Sequence, residues 1–199
     1  ISLPQFTYNN LTFNSSGSGT FAPASGVNLI VNNNFNIGSA ATSSTFNLAS
    51  NSGSSNTLTV SGDITLQNGG ILQLITNSGA SGATLNVSGN LTVSGNGRID
   101  FETVSSTSGD AVIQLDGNFN SSGSATASAG DNGIVDFGTG TNTGNYFYIK
   151  GNFSHSGTGN FGTQGGTQAG GFSFNKAGTQ TFSCTGATVS SKLAYTVNS

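Results

Sequence analysis

One phrase recurs along this chain about every 28 residues: apolar, any residue, apolar, any residue, Gly, polar, apolar. Leu58-Thr59-Val60-Ser61-Gly62-Asp63-Ile64 is followed by Leu85-Asn86-Val87-Ser88-Gly89-Asn90-Leu91. Ile113-Gln114-Leu115-Asp116-Gly117-Asn118-Phe119 and Phe147-Tyr148-Ile149-Lys150-Gly151-Asn152-Phe153 continue the series, and Leu29-Ile30-Val31-Asn32-Asn33-Asn34-Phe35 precedes it with Asn in the Gly position. A repeat of this length hides its apolar edge only by stacking on its neighbours, so the chain is expected to be a solenoid.

The period inside each copy is two. Leu85, Val87, Gly89, Leu91 and Val93 share one parity and Thr84, Asn86, Ser88, Asn90 and Thr92 the other, the signature of a strand with one buried face. No helical period is present. The fold predicted is all-β, a right-handed parallel β-helix of about six or seven coils, the hand following from the crossover rule. Residues 1–199 are read as one solenoid segment, expected to belong to a longer chain or assembly.

Glycine in mid-strand, in the inward register, marks a bend or a close backbone approach. Gly62, Gly89, Gly117 and Gly151 are therefore read as the corner between two short strands of each coil. Asn33 fits the same corner through its tolerance of left-handed backbone angles, and Gly186 is read as the corner of a final coil opening at Phe182. That register puts Cys184 in the inward column of Val60, Val87 and Leu115, as a small core residue. A second apolar pair lies between corners, at Phe46/Leu48, Leu72/Leu74, Ile99/Phe101, Val135/Phe137 and Phe172/Phe174. The arc before that pair lengthens towards the C-terminus, making the stretches Ser121–Gly133 and Ser154–Gly171 the expected contact surface.

Composition narrows the function classes. Only 6% of residues are charged, against about a quarter in an ordinary soluble protein, so Gly, Ser, Thr and Asn must solvate the surface. The four cations, Arg98, Lys150, Lys176 and Lys192, form no basic cluster of the kind that captures nucleic acid. No apolar run approaches a membrane span, and membrane insertion is not expected. One cysteine excludes an internal disulfide and a zinc finger.

Three phrases point to a family. Tyr8-Asn9-Asn10-Leu11-Thr12-Phe13, Val87-Ser88-Gly89-Asn90-Leu91-Thr92-Val93 and Phe174-Asn175-Lys176-Ala177-Gly178-Thr179-Gln180-Thr181-Phe182 resemble recurring phrases of the adhesin-like β-solenoid proteins of Bacteroidota-type bacteria. Such proteins are very large, are often exported by the type IX route and are held at the cell surface. The resemblance implies an extracellular, non-enzymatic stalk of an adhesin or filament, similar to the gliding-adhesin type. Its partners would be neighbouring copies or flanking domains of the same polypeptide, or a surface polysaccharide. A self-assembling fibre subunit is the alternative, and a polysaccharide-active β-helix enzyme a weaker one.

The candidate sites are few. Asp100 and Asp136 fall in one column, with Glu102 two residues beyond Asp100 on the same outward face. Stacked carboxylates suit Ca²⁺, which takes several oxygen ligands. They also suit the paired acids of a glycosidase, or a solvated face with Arg98 offsetting Asp100. Gly130-Asp131-Asn132-Gly133 resembles a calcium turn only faintly. His155, the sole histidine, falls in the inward register with no triad or zinc partner at a recognisable spacing, and is expected to be partly exposed. Tyr146 and Tyr148 should point outwards, where they could stack on sugar rings or lie beneath the next coil. No catalytic residue is assigned.

Overall fold

The computed structural model describes residues 2–14, 19–39, 44–53, 55–104, 109–125, 133–138, 144–162, 170–187, 189 and 193–198. The described residues form strands, turns and bends with no helix, and every strand pairing is parallel. Three sheets result, so the chain is a parallel β-solenoid of about six turns.

Sheet I carries the front of the repeated phrase: Thr7–Tyr8, Asn28–Val31, Ser55–Val60, Gly82–Val87, Ala111–Leu115, Asn145–Ile149, Gly170–Phe174 and Ala194–Val197. Sheet II, past the corner, holds Leu11–Phe13, Phe35–Ile37, Ile64–Leu66, Leu91–Val93, Phe119–Ser121, Phe153–His155 and Phe182–Cys184. Sheet III is built from Ser2–Leu3, Gly19–Pro23, Ser44–Ala49, Ile71–Ile75, Arg98–Glu102, Val135–Asp136 and Phe161–Gly162. Seven stacked strands make six steps of about 4.8 Å, a rod roughly 30 Å tall.

The period-two pattern does what it predicts. Leu58 stacks on Leu29 and beneath Leu85, Val60 on Val31 and beneath Val87, and all are buried. Phenylalanines Phe13, Phe21, Phe35 and Phe46 cluster in the lowest coils, leucine, valine and isoleucine fill the middle, and phenylalanine returns above. Phe119, Phe153 and Phe182 form one column with ring centroids 4.9 and 4.7 Å apart, and Phe101 stacks on Phe137 at 4.6 Å. Each fully buried side chain of this size contributes on the order of 1.5–3 kcal/mol, and none of it needs a disulfide.

The corners are where the sequence reading placed them, between sheets I and II, but for a different reason. Gly62, Gly89, Gly117 and Gly151 have ordinary negative backbone angles. What selects glycine is the coil beneath: a Cβ on Gly62 would lie 2.6 Å from the Asn33 carbonyl oxygen, and one on Gly89 2.5 Å from that of Gly62, with Gly117 and Gly151 tighter still. The Gly89 amide donates to that Gly62 oxygen at 3.1 Å and Gly151 to Gly117 at 3.1 Å, so the corners stack as a backbone ladder.

Three register readings are corrected in the last coils. Phe161–Gly162, inside the stretch read as a lengthened arc, is the sheet III strand of its coil, pairing with Val135–Asp136. Phe172 and Phe174 therefore belong to sheet I, over Phe147 and Ile149. Phe182 stacks on Phe153 and Cys184 on His155, so Cys184 lies in the column of Leu66 and Val93. The corner position is Gln180, whose Nε2 donates to the Ile149 carbonyl at 2.9 Å and to that of Gly151. Gly186 lies beyond this strand, and it is not a corner. The cause is the phrase itself: Phe-Ser-Cys-Thr-Gly imitates the front of the repeat, while in space it occupies the back.

Candidate functional site

Sheet III brings the acids together as the column reading requires, with Gln73, Asp100 and Asp136 directly stacked and Glu102 above Ile75. It does not leave them in solvent. Asp100, Glu102 and Asp136 are all about 2% exposed or less, which overturns the solvated face. Acids this deep are rare unless paired, and here protein donors meet them. Gln73 Nε2 donates to Asp100 Oδ2 at 3.0 Å and Arg98 Nε lies 3.2 Å from the same oxygen. The Gly138 amide donates to Asp136 Oδ1 at 2.9 Å. Gly138 has φ +102°, and a Cβ there would meet the Glu102 side chain, so the turn closes over the acids only with glycine.

Asn145 ties this cluster to the next sheet. It is fully buried; its Oδ1 accepts from the Ala111 amide at 3.0 Å, and its Nδ2 donates to the Phe137 carbonyl at 2.9 Å and to Glu102 Oε2 at 3.3 Å. Asn56 does the same lower down, accepting from the Gly26 and Val27 amides and donating to the Leu48 and Ala24 carbonyls. Each amide accepts at its oxygen and donates twice from its NH2 group, Asn56 making four bonds and Asn145 three, to seal the turn from sheet III to sheet I. Among the described residues no three His, Cys, Asp or Glu side chains group so as to hold a metal ion. The Gly130–Gly133 turn lies outside the described residues except for Gly133.

A second arrangement was not foreseen. The polar residue after each corner forms a ladder up the outside of the rod. Asn10 Oδ1 accepts from the Asn34 amide, Asn34 Oδ1 from Asp63, Asp63 Oδ1 from Asn90, Asn90 Oδ1 from Asn118, Asn118 Oδ1 from Asn152 and Asn152 Oδ1 from Thr181, at 2.7–3.2 Å. Side chains also link directly, Asn118 Nδ2 to Asn90 Oδ1 at 3.1 Å and Asn90 Nδ2 to Asp63 Oδ1 at 3.3 Å. The signal was present in the sequence, because the residue after the corner is Asn or Asp in every copy from Asn34 to Asn152.

His155 is in the inward register as expected, yet it is 1% exposed rather than partly exposed. Its ring stands edge-on to Phe161 at 5.0 Å, and Nε2 lies 2.9 Å from the Gly157 carbonyl. Burial pushes its pKa below the usual histidine range, the carbonyl opposing. Burial likewise raises the Cys184 thiol, and pushes Tyr195 up to about 12 with the neighbouring Cys184 adding to the rise.

Tyr146 and Tyr148 do point outwards from sheet I, above Val112 and Gln114, their rings 5.8 Å apart. The next strand places only Gly171 and Ser173 over them, and both rings stay part-exposed. At the C-terminal end of the stack Phe182, Val189, Tyr195 and Val197 are exposed around a hollow of about 490 Å³ that Phe174 and Gln180 also line. Of the two long arcs, 126–132 and 163–169 lie outside the described residues.

Comparison with family models, characterised proteins and solved structures returned no match. The chain's own geometry therefore carries the functional reading.

Proposed function

We propose that the chain is a non-enzymatic extracellular scaffold, a stiff segment of a cell-surface adhesin or filament stalk. The observation that supports this best is the continuity of the outer ladder. The Asn/Asp side chains run coil to coil from Asn10 to Thr181, and backbone bonds join most of the corners inside it. Bending or shearing the rod has to break hydrogen bonds inside and outside together. With few charges on its surface, the rod presents little for adventitious ions or polyanions to hold. The buried acids serve the same end, fastening the turn at Gly138 and the corner at Asn145, and no cofactor is required.

The test is mechanical and cellular. Single-molecule pulling between the termini should give stepwise release of coils at high force, and antibodies to the rod should label intact source cells. Unfolding at negligible force, or labelling only after lysis, would contradict the scaffold.

The exposed C-terminal hollow favours a second reading, a fibre subunit that stacks head to tail. Its three sheet edges, and the three at the N-terminal end, belong to the same sheets. Concentration-dependent filaments in negative stain that Val197→Lys abolishes would support it; monomeric rods at every concentration would exclude it.

A further inference from the structure

The outer face of sheet I carries a polar groove of about 240 Å³ lined by Gln114, Leu115, Asp116, Tyr148, Lys150 and Asn175. We propose that this groove is a binding site for a neutral saccharide. The proposal is independent of the scaffold reading, because it concerns a surface that a passive stalk does not need.

Three observations lead there. The first is local chemistry. In the coils below, the equivalent outward positions hold Thr59 with Ser61 and Asn86 with Ser88. Only here do they become Gln114 with Asp116 and Tyr148 with Lys150. In a chain with four cations and seven acids, Lys150 Nζ lies 2.6 Å from Asp116 Oδ1, both side chains more than half exposed. The second is an open aromatic ring: Tyr148 stays part-exposed because the strand above contributes Ser173. The third is the groove's upper end, where the half-buried Asn175 follows the strand above Tyr148 and brings a side-chain amide to the lining.

These groups match a pyranose. Its C–H face is apolar and seats on a tyrosine ring, whose body is apolar and whose tip is polar. Its rim hydroxyls both donate and accept. Asp116 only accepts, Lys150 only donates, and Gln114 and Asn175 do both, so adjacent hydroxyls can be read from each side. The Lys–Asp pair is neutral as a unit, and the chain is net −3, which disfavours an acidic sugar. The groups belong to three successive coils, two steps of about 4.8 Å apart, so the site has the reach of a short oligosaccharide.

The test uses the full chain and a panel of gluco-, manno-, galacto- and xylo-hexaoses, with oligogalacturonate as the acidic probe, in saturation-transfer NMR and calorimetry. At least one neutral member should bind. Tyr148→Ala and Asp116→Asn should each weaken it by about tenfold or more, while Tyr148→Phe and Thr65→Ala, on the outer face of sheet II, stay within about threefold. Far-UV circular dichroism identical to the parent's shows that each variant keeps its fold. Failure of every neutral sugar to bind overturns the proposal, as does binding indifferent to both Tyr148→Ala and Asp116→Asn. Binding of oligogalacturonate alone overturns it too.

Discussion

Replacing Gly89 by alanine isolates what the corners require. The backbone there has no positive φ, so the substitution carries no conformational penalty of the left-handed kind. Its whole cost is steric. The new Cβ would stand 2.5 Å from the Gly62 carbonyl oxygen and 2.6 Å from its carbon, with Asp63 Oδ1 also in its path. Reaching ordinary contact at 3.4 Å opens the corner by about 0.9 Å against a strand spacing of about 4.8 Å. The Gly89-to-Gly62 hydrogen bond, now 3.1 Å, lengthens past any useful distance, and the 2.7 Å bond from the Asn90 amide to Asp63 Oδ1 is strained with it. Overpacking against backbone costs about 1–3 kcal/mol, and each lost bond about 1 kcal/mol. Gly89→Ala should therefore lose roughly 2–4 kcal/mol of stability on those terms. Urea titration followed by circular dichroism measures it, with hydrogen exchange showing protection lost first in the strands beside residues 62 and 89. The control is Gly178→Ala: φ is +89° but nothing lies within 4 Å of the new Cβ, so its cost is conformational only, about 1 kcal/mol. Equal losses at the two sites, or none at Gly89, would refute the steric account of the corner.

The outer ladder predicts that Asn118→Leu, which removes the acceptor for the Asn152 amide and the donor to Asn90, destabilises by about 1–2 kcal/mol; Asp63→Asn, which keeps the acceptor oxygen, should leave the urea midpoint nearly unmoved. His155 sets a pH dependence. Its folded pKa lies below the ordinary histidine value of 6.5 because burial disfavours the charged ring, so the unfolded chain binds the proton more readily. The stability it permits is complete above about pH 6.5 and falls as the pH drops towards the folded pKa; melting between pH 7.5 and 5 should show the decline, and His155→Leu, matching Leu66 in that column, should flatten it. Tyr195, pushed up to about 12 by burial and by Cys184, should ionise later than a free tyrosine in an absorbance titration, and Cys184→Ala should bring it earlier.

The strands and their inward faces were legible in the sequence because a period of two is a local property. Leu85 and Val87 must face the same way whatever else the chain does, and the corner glycines were visible for the same reason. The stacking of Asp100 on Asp136 followed from aligning like phrases. Local pattern could not say how deep that column lies, because exposure depends on what the rest of the coil places over it. The acids that read as a solvated face are sealed by Gly138 and Asn145, and His155 sits against Phe161. Nor could it resolve the last coils, where Phe161–Gly162 completes sheet III and Phe182 belongs behind the corner: two phrases of similar composition fit either register, and only the pairing of whole strands distinguishes them.

The sequence alone determined that this chain is all-β, that its apolar residues form one inward edge, and that it closes its turns on small residues. Those are consequences of alternation and of side-chain size. The tertiary structure decided why the corners are glycine, which is the proximity of a carbonyl one coil below, and it assembled Tyr148, Lys150, Asp116 and Asn175 into one groove. Those residues lie as far as 59 positions apart, from 116 to 175, and nothing local connects them. A solenoid places distant residues side by side because its coils are stacked at one strand spacing, and that distance exists only once the chain has wound.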